Sequence, residues 1–154
     1  MVRLPLGEAR AARRGAPAAE IQAAEGHPLP RLHVLIIEDN ADMRVLLQAL
    51  LTGEEHQVEG AETGAAGLDL ARKGRPDVVL VDIGLPDLDG YEVGRQLRAL
   101  LGPPVRLIAL TGYGQAEDRQ RSRAAGFDAH LVKPVSGSLL HETIGALVPS
   151  APPT

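Results

Sequence analysis

The chain has no cysteine and no tryptophan, and only one phenylalanine and two tyrosines. Disulfides, thiolate-ligated zinc and cysteine nucleophiles are therefore excluded. With aromatics at 2%, the core must be built from Leu, Val, Ile and Ala, which suits helices packed on a parallel sheet. No apolar run approaches the roughly 18 residues that would span a bilayer. There is no apolar segment of the secretory kind at the start. The Arg- and Ala-rich N-terminus carries Glu8, Glu20 and Glu25 and no Ser, unlike a transit peptide, so a cytoplasmic location is expected. A formal charge of −4 is too mild to mark a nucleic-acid binder, and no direct DNA binding is expected. What remains is 154 residues, about one domain.

Composition divides the chain into three parts. Residues 1–31 are rich in Ala, Gly, Pro, Arg and Glu and end in Gly26-His27-Pro28-Leu29-Pro30, which reads as a flexible linker. Residues 32–148 form the expected domain, and the Pro-rich residues 149–154 a disordered tail. Within the domain, Leu32 to Ile37 is an apolar run that stops at Glu38-Asp39-Asn40, as in a buried parallel strand. Met43, Leu46, Leu47, Leu50 and Leu51 then mark one face of a helix that ends at Gly53. Strand and helix alternate onward: a strand over Gln57 to Ala61, a helix from Ala65 to Lys73, then Val78-Val79-Leu80-Val81 running into Asp82. Val93, Leu97, Leu100 and Leu101 mark the third helix, and Val105 to Leu110 the fourth strand. A polar helix follows over Gln115 to Ala125, then a strand over Ala129 to Val132, and a last helix through Leu140, Ile144 and Leu147. Five β/α units predict an α/β fold with a parallel sheet and ligands at the carboxyl ends of its strands.

Those ends carry the reactive side chains. Glu38 and Asp39 close the first strand, Asp82 the third, Thr111 the fourth and Lys133 the fifth. Three converging carboxylates repel one another, and a divalent cation is the usual remedy. Oxygen donors without Cys favour Mg²⁺ over zinc. An aspartate beside that cation and an ammonium can attack phosphorus to form a mixed anhydride. Asp82, ending the most apolar strand, is the best-placed nucleophile. Mg²⁺, Lys133 and the Thr111 hydroxyl are suited to the three phosphoryl oxygens.

The chain resembles the receiver domains of two-component response regulators. IIEDN with Glu38-Asp39, VLVDIGLPDLDG around Asp82, ALTGYG with Thr111 and HLVKPV with Lys133-Pro134 stand in the family's order and strand context, over about Leu32 to Val148. The resemblance implies a flavodoxin-like fold with strand order 2-1-3-4-5 and Asp82 as the phosphorylated residue. It implies Mg²⁺ on Asp39, Asp82 and the Gly84 carbonyl, with Glu38 helping through water. Thr111 and Lys133 would bind the phosphoryl oxygens, across a cis Lys133-Pro134 bond. Partners would be a histidine kinase or a histidine phosphotransfer protein, and the face formed by helix 4, strand 5 and helix 5 could signal or form a homodimer. Val2 to Gly7, with the run RLPL, resembles the last strand of a histidine-kinase ATPase domain, which suggests the C-terminal receiver of a hybrid kinase. No effector domain is expected after the receiver.

Two positions depart from the family pattern. His130 stands where Tyr or Phe usually swings with Thr111, a smaller switch residue able to titrate near neutral pH. Gly84 stands where a polar side chain often governs water access. Gly84 also weighs against the main rival, a haloacid-dehalogenase-type phosphatase, which needs a second Asp there. A second rival, a pseudo-receiver acting as a binding module, would usually have lost Asp82 or Lys133. Asp87, Asp89 and Gly90 fit a turn capping the next helix better than a calcium loop. His141-Glu142 reads as a solvated helix face, His27, His33 and His56 as surface or strand-edge residues. Arg119, Arg121 and Arg123 read as a solvated face or a docking surface.

Overall fold

Apolar runs of the length found here must be covered on both sides, and the sheet is built accordingly. The computed structural model describes residues 30–148 except 54 and 113–115. The expected tail, and all but the last two residues of the expected linker, lie outside them. The elements are β1 (His33–Ile37), α1 (Ala41–Thr52), β2 (Gln57–Ala61), α2 (Gly64–Gly74), β3 (Val78–Asp82), α3 (Gly90–Leu101), β4 (Arg106–Thr111), α4 (Ala116–Ala124), β5 (Ala129–Val132) and α5 (Gly137–Leu147). All strand pairs are parallel, in the order β2-β1-β3-β4-β5. This is the flavodoxin-like order 2-1-3-4-5.

Sequence chemistry sets the helix ends. Asn40, Thr63, Asp89 and Ser136 each accept a backbone N–H from the first turn of the helix that follows, supplying partners that helix geometry cannot. Gly102, at φ 81°, ends α3, where a side chain would be strained.

Side chains of β1, β3 and β4 alternate between two cores. Leu35, Ile37, Val79, Val81, Leu107 and Ala109 join the α2 and α3 residues Leu68, Ala71, Val93 and Leu97. Close approach explains Gly67. A Cβ there would come within 2.3 Å of Ile37 Cδ1, so α2 lies directly on β1. Val34, Ile36, Leu80, Ile108 and Leu110 are buried on the other face, as are Leu47, Leu51, Leu140 and Ile144 of α1 and α5.

Helix α1 buries only part of its apolar stripe. Of its five-residue apolar stripe only Leu47 and Leu51 are buried; Met43 and Leu50 are half-buried and Leu46 is 47% exposed. The helix touches the sheet along a line narrower than the stripe its sequence offers.

Strand order brings the chemistry together. Connections from β1 and β3 run to opposite sides of the sheet, which opens a crevice at the carboxyl ends of these two central strands.

Candidate functional site

The crevice is walled by the ends of β1, β3, β4 and β5. Glu38 leaves β1 with its N–H donated to the Ala61 carbonyl at 2.9 Å. Arg44 Nη1 donates to the Glu38 carbonyl at 2.7 Å, and the Asn40 N–H donates to Glu38 Oε2 at 3.1 Å. Glu38 is thereby fixed at backbone and side chain, and it is wholly buried. Asp82 closes β3, and the Gly84 N–H donates to its Oδ1 at 3.0 Å. Glu38, Asp39 and Asp82 each offer a carboxylate oxygen, all within 4.8 Å of one another. Lys133 enters from β5, its N–H donated to the Thr111 carbonyl at 2.8 Å. Its Nζ lies 2.9 Å from Glu38 Oε1 and 3.4 Å from Asp82 Oδ2. The Lys133–Pro134 peptide is cis. Thr111 is buried at the end of β4, one residue beyond Leu110, whose carbonyl accepts the Ile83 N–H at 2.9 Å.

Electrostatics separates the two buried acids. Burial holds Glu38 above the usual carboxylate range, against the pull of Lys133 and the Asn40 N–H. Burial acts the same way on Asp82, but the Gly84 N–H, the shared contact with Glu38 and the charge of Lys133 together bring it below that range. The two acids are thus shifted in opposite directions, Glu38 upward and Asp82 downward. Burial disfavours the Lys133 ammonium, yet Glu38 and Asp82 more than compensate and hold it above its ordinary value.

The donor set fits a hard dication. Mg²⁺ draws oxygen ligands to about 2.0–2.1 Å, so its ligands lie within about 4 Å of each other. Glu38, Asp39 and Asp82 need close only slightly to meet that. An ionised carboxylate, a cation site and an ammonium are the parts needed to take up a phosphoryl group.

Other predicted positions fall nearby or elsewhere. His130 lies on β5 with its Nδ1 3.1 Å from the hydroxyl of Ser122 on α4. Gly84 is exposed, and a side chain added there would meet only Asp82 Oδ1, at 3.7 Å. Asp89 caps α3 through the Tyr91 N–H, but Asp87 does something else. Its oxygens accept the N–H groups of Gly64 and Ala65 at 2.8 and 3.0 Å, so it caps α2 across the crevice. Those N–H groups hold its carboxyl below the usual carboxylate pKa range. His56 corrects one expectation. It is buried, and its Nδ1 accepts the Leu32 N–H at 3.1 Å, because the turn before β2 folds inward.

The Asp-Gly pair of the VDIGLPDLDG run has a steric reason. A Cβ on Gly90 would lie 2.4 Å from Ile83 Cα and 2.7 Å from the Asp82 carbonyl oxygen, both backbone atoms unable to turn aside. Gly90→Ala is expected to destabilise the chain by about 1–3 kcal/mol, read as a lower urea midpoint with an unchanged slope.

Comparison with known proteins agrees with this geometry. The family model for the response regulator receiver domain matches residues 34–145. The transcriptional regulatory protein AfsQ1 of Streptomyces coelicolor is 37% identical over 115 residues, covering 75% of this chain and 50% of that protein. The virulence sensor protein BvgS of Bordetella pertussis is 33% identical over 141 residues, covering 88% of this chain and 11% of BvgS. The chain thus spans half of one relative and about a ninth of the other. Among solved structures, the receiver domain of the sensor histidine kinase PA1611 from Pseudomonas aeruginosa superposes with a TM-score of 0.70 at 30% identity, covering 77% of this chain and 98% of that one. That structure has a magnesium ion coordinated in its active-site cleft. With fold, crevice and sequence in agreement, this chain belongs to the response regulator receiver domain family of two-component signalling.

Proposed function

We propose that Asp82 accepts a phosphoryl group from a phosphohistidine donor in a Mg²⁺-dependent transfer. The observation that carries this reading is the junction of Glu38, Asp39 and Asp82 with Lys133 reaching two of them. The ionised Asp82 carboxylate attacks phosphorus, the phosphorus–nitrogen bond to the donor imidazole breaks, and an aspartyl phosphate forms as the imidazole leaves with its electron pair. Lys133 then follows the growing charge on the phosphoryl oxygens, and the Thr111 hydroxyl takes a second oxygen. Bound Mg²⁺, held by Asp39, Asp82 and the Gly84 carbonyl with Glu38 through water, would supply charge neutralisation there. A binding module without phosphorylation would not need the ion-paired Lys133 and Asp82 that this chain keeps. Incubation with acetyl phosphate and Mg²⁺ is expected to add one phosphoryl group by intact mass. An unchanged mass across a range of Mg²⁺ concentrations would overturn the reading.

The donor is assigned to α1. Val45 is 60% and Leu46 47% exposed, on the helix that starts immediately after the acidic pair. An apolar pair beside the crevice fits a protein that must bring its histidine to Asp82. Leu46→Glu should slow transfer from a phosphohistidine donor about tenfold or more while leaving acetyl phosphate labelling unchanged. Stopped transfer assays with both donors check this.

We also propose that the chain is a receiver domain of a hybrid histidine kinase. The similarity to BvgS covers 88% of the chain against 75% for AfsQ1, so it runs on into the flanks of the domain. The kinase-like run from Val2 to Gly7 supports the same origin, although it lies outside the described residues.

A further inference from the structure

Among residues 119–124 of helix α4, little is held by hydrophobic means. Arg119, Gln120, Arg121, Arg123 and Ala124 are exposed, and Ser122 alone of residues 119–124 is buried, at 2% exposure. A buried hydroxyl needs a partner. Ser122 finds one on β5: its Oγ is 3.1 Å from His130 Nδ1. Two further described contacts fasten the same helix. Ala125 is buried just past its end, and the Arg121 guanidinium lies 4.3 Å over the ring of the buried Tyr91 on α3.

Strand register gives the Ser122 contact its meaning. His130 stands opposite Ala109, and Val132 stands opposite Thr111. Residues two apart on a strand share a face, so His130 and Thr111 point to the same side of the sheet, the side α4 covers. The register partner of His130 on β4 is Ala109, a small side chain. The hydrogen bond to Ser122 is a directional contact from the α4 side.

We infer that Ser122 is the positioning residue of the switch: its hydrogen bond to His130 is the latch that sets α4 against the sheet. A ring that turns away toward Thr111 deprives a buried hydroxyl of this bond, so the latch biases the receiver toward the state seen here. The inference deepens the phosphoacceptor reading, because the event that opens the latch is the movement of Thr111 toward a phosphoryl group on Asp82. Losing one such hydrogen bond shifts a two-state equilibrium by about two- to tenfold.

The test uses the full isotopically labelled chain without metal. In Ser122→Ala, the His130 ring nitrogen resonances are expected to shift, and the α4 amides of residues 119–124 to exchange about two- to tenfold faster, while α1 amides keep their rates. His130→Phe, which keeps a ring but removes the hydrogen-bonding nitrogen, should accelerate the same amides. Unchanged α4 exchange in Ser122→Ala, or an increase shared equally by all helices, would overturn the latch. Beryllofluoride with Mg²⁺ then separates the two claims. If wild-type α4 and Thr111 resonances ignore it, the phosphoacceptor reading fails, whatever the metal-free comparison gave. If they respond and Ser122→Ala needs no less beryllofluoride for half-conversion, the latch fails and the acceptor stands.

Discussion

Asp82→Asn is expected to lower phosphoryl incorporation from acetyl phosphate by a factor on the order of 10³ or more, measured by intact mass against time. The reason is specific to the nucleophile. Asparagine keeps the shape of the side chain and its oxygen can still accept the Gly84 N–H at the position now held at 3.0 Å. It removes the negative charge, and a carboxamide oxygen is too weak a nucleophile to displace a leaving group from phosphorus. The fold should survive, because the substitution also removes one of the two carboxylates facing each other in a nearly dry pocket. Lys133 would retain Glu38 at 2.9 Å as its ion-pair partner. A variant that folds, binds the donor and is not labelled isolates the acceptor from the rest of the machinery.

Asp39→Asn should produce the second large effect, on the metal. Asp39 is the exposed member of the acidic trio, so it adds little to packing and much to the charge offered to a cation. Removing it is expected to weaken Mg²⁺ binding by about 10–100-fold or more. Linkage turns this into a difference in stability. A ligand at 100 times its dissociation constant stabilises the native state by about 2.7 kcal/mol, and at the same Mg²⁺ concentration the variant loses about half of that gain if binding weakens tenfold and most of it if a hundredfold. Without metal the order reverses, because relief of repulsion leaves the variant as stable as the parent or more so, as expected where function has cost stability. Thermal unfolding with and without Mg²⁺ checks both halves. A variant that is equally stabilised by Mg²⁺ would remove Asp39 from the site.

These expectations rest on residues that differ in how far the sequence alone disclosed them. Glu38, Asp39, Asp82 and Lys133 were legible because each directly follows a run of strand residues, and a parallel sheet aligns the ends of its strands. The strands themselves were legible for the same reason: β1 and β3 lie in the interior of the sheet and read as unbroken apolar runs. Long-range polar contacts were not legible. Asp87 looks like part of the cap of α3, yet it caps α2 because the β3–α3 loop folds over the start of that helix. Arg98 looks like a surface charge on α3. It donates to the carbonyls of Gly102, Val105 and Gly126 and pairs with Asp128 at 2.8 Å, tying the end of α3 to the strands beside it. Ser122 gave no signal at all, since a serine among arginines reads as solvated until the register of β5 puts His130 beneath it.

Helix α1 marks the opposite case. Its periodicity marks a face that is only partly buried, because the period states which side chains share a face, whereas the width of the neighbouring sheet decides how many are covered. Leu46, on the apolar face, is 47% exposed. The mismatch between pattern and packing is where a partner surface is to be sought.

The most direct measurement is the site of the label. Borohydride reduces an aspartyl phosphate to homoserine, which peptide mass spectrometry can place in the sequence. After reaction with acetyl phosphate and Mg²⁺, homoserine is expected at position 82 and nowhere else. Homoserine at a different aspartate, or a phosphoryl group on a serine, threonine or histidine that borohydride leaves in place, would contradict the account.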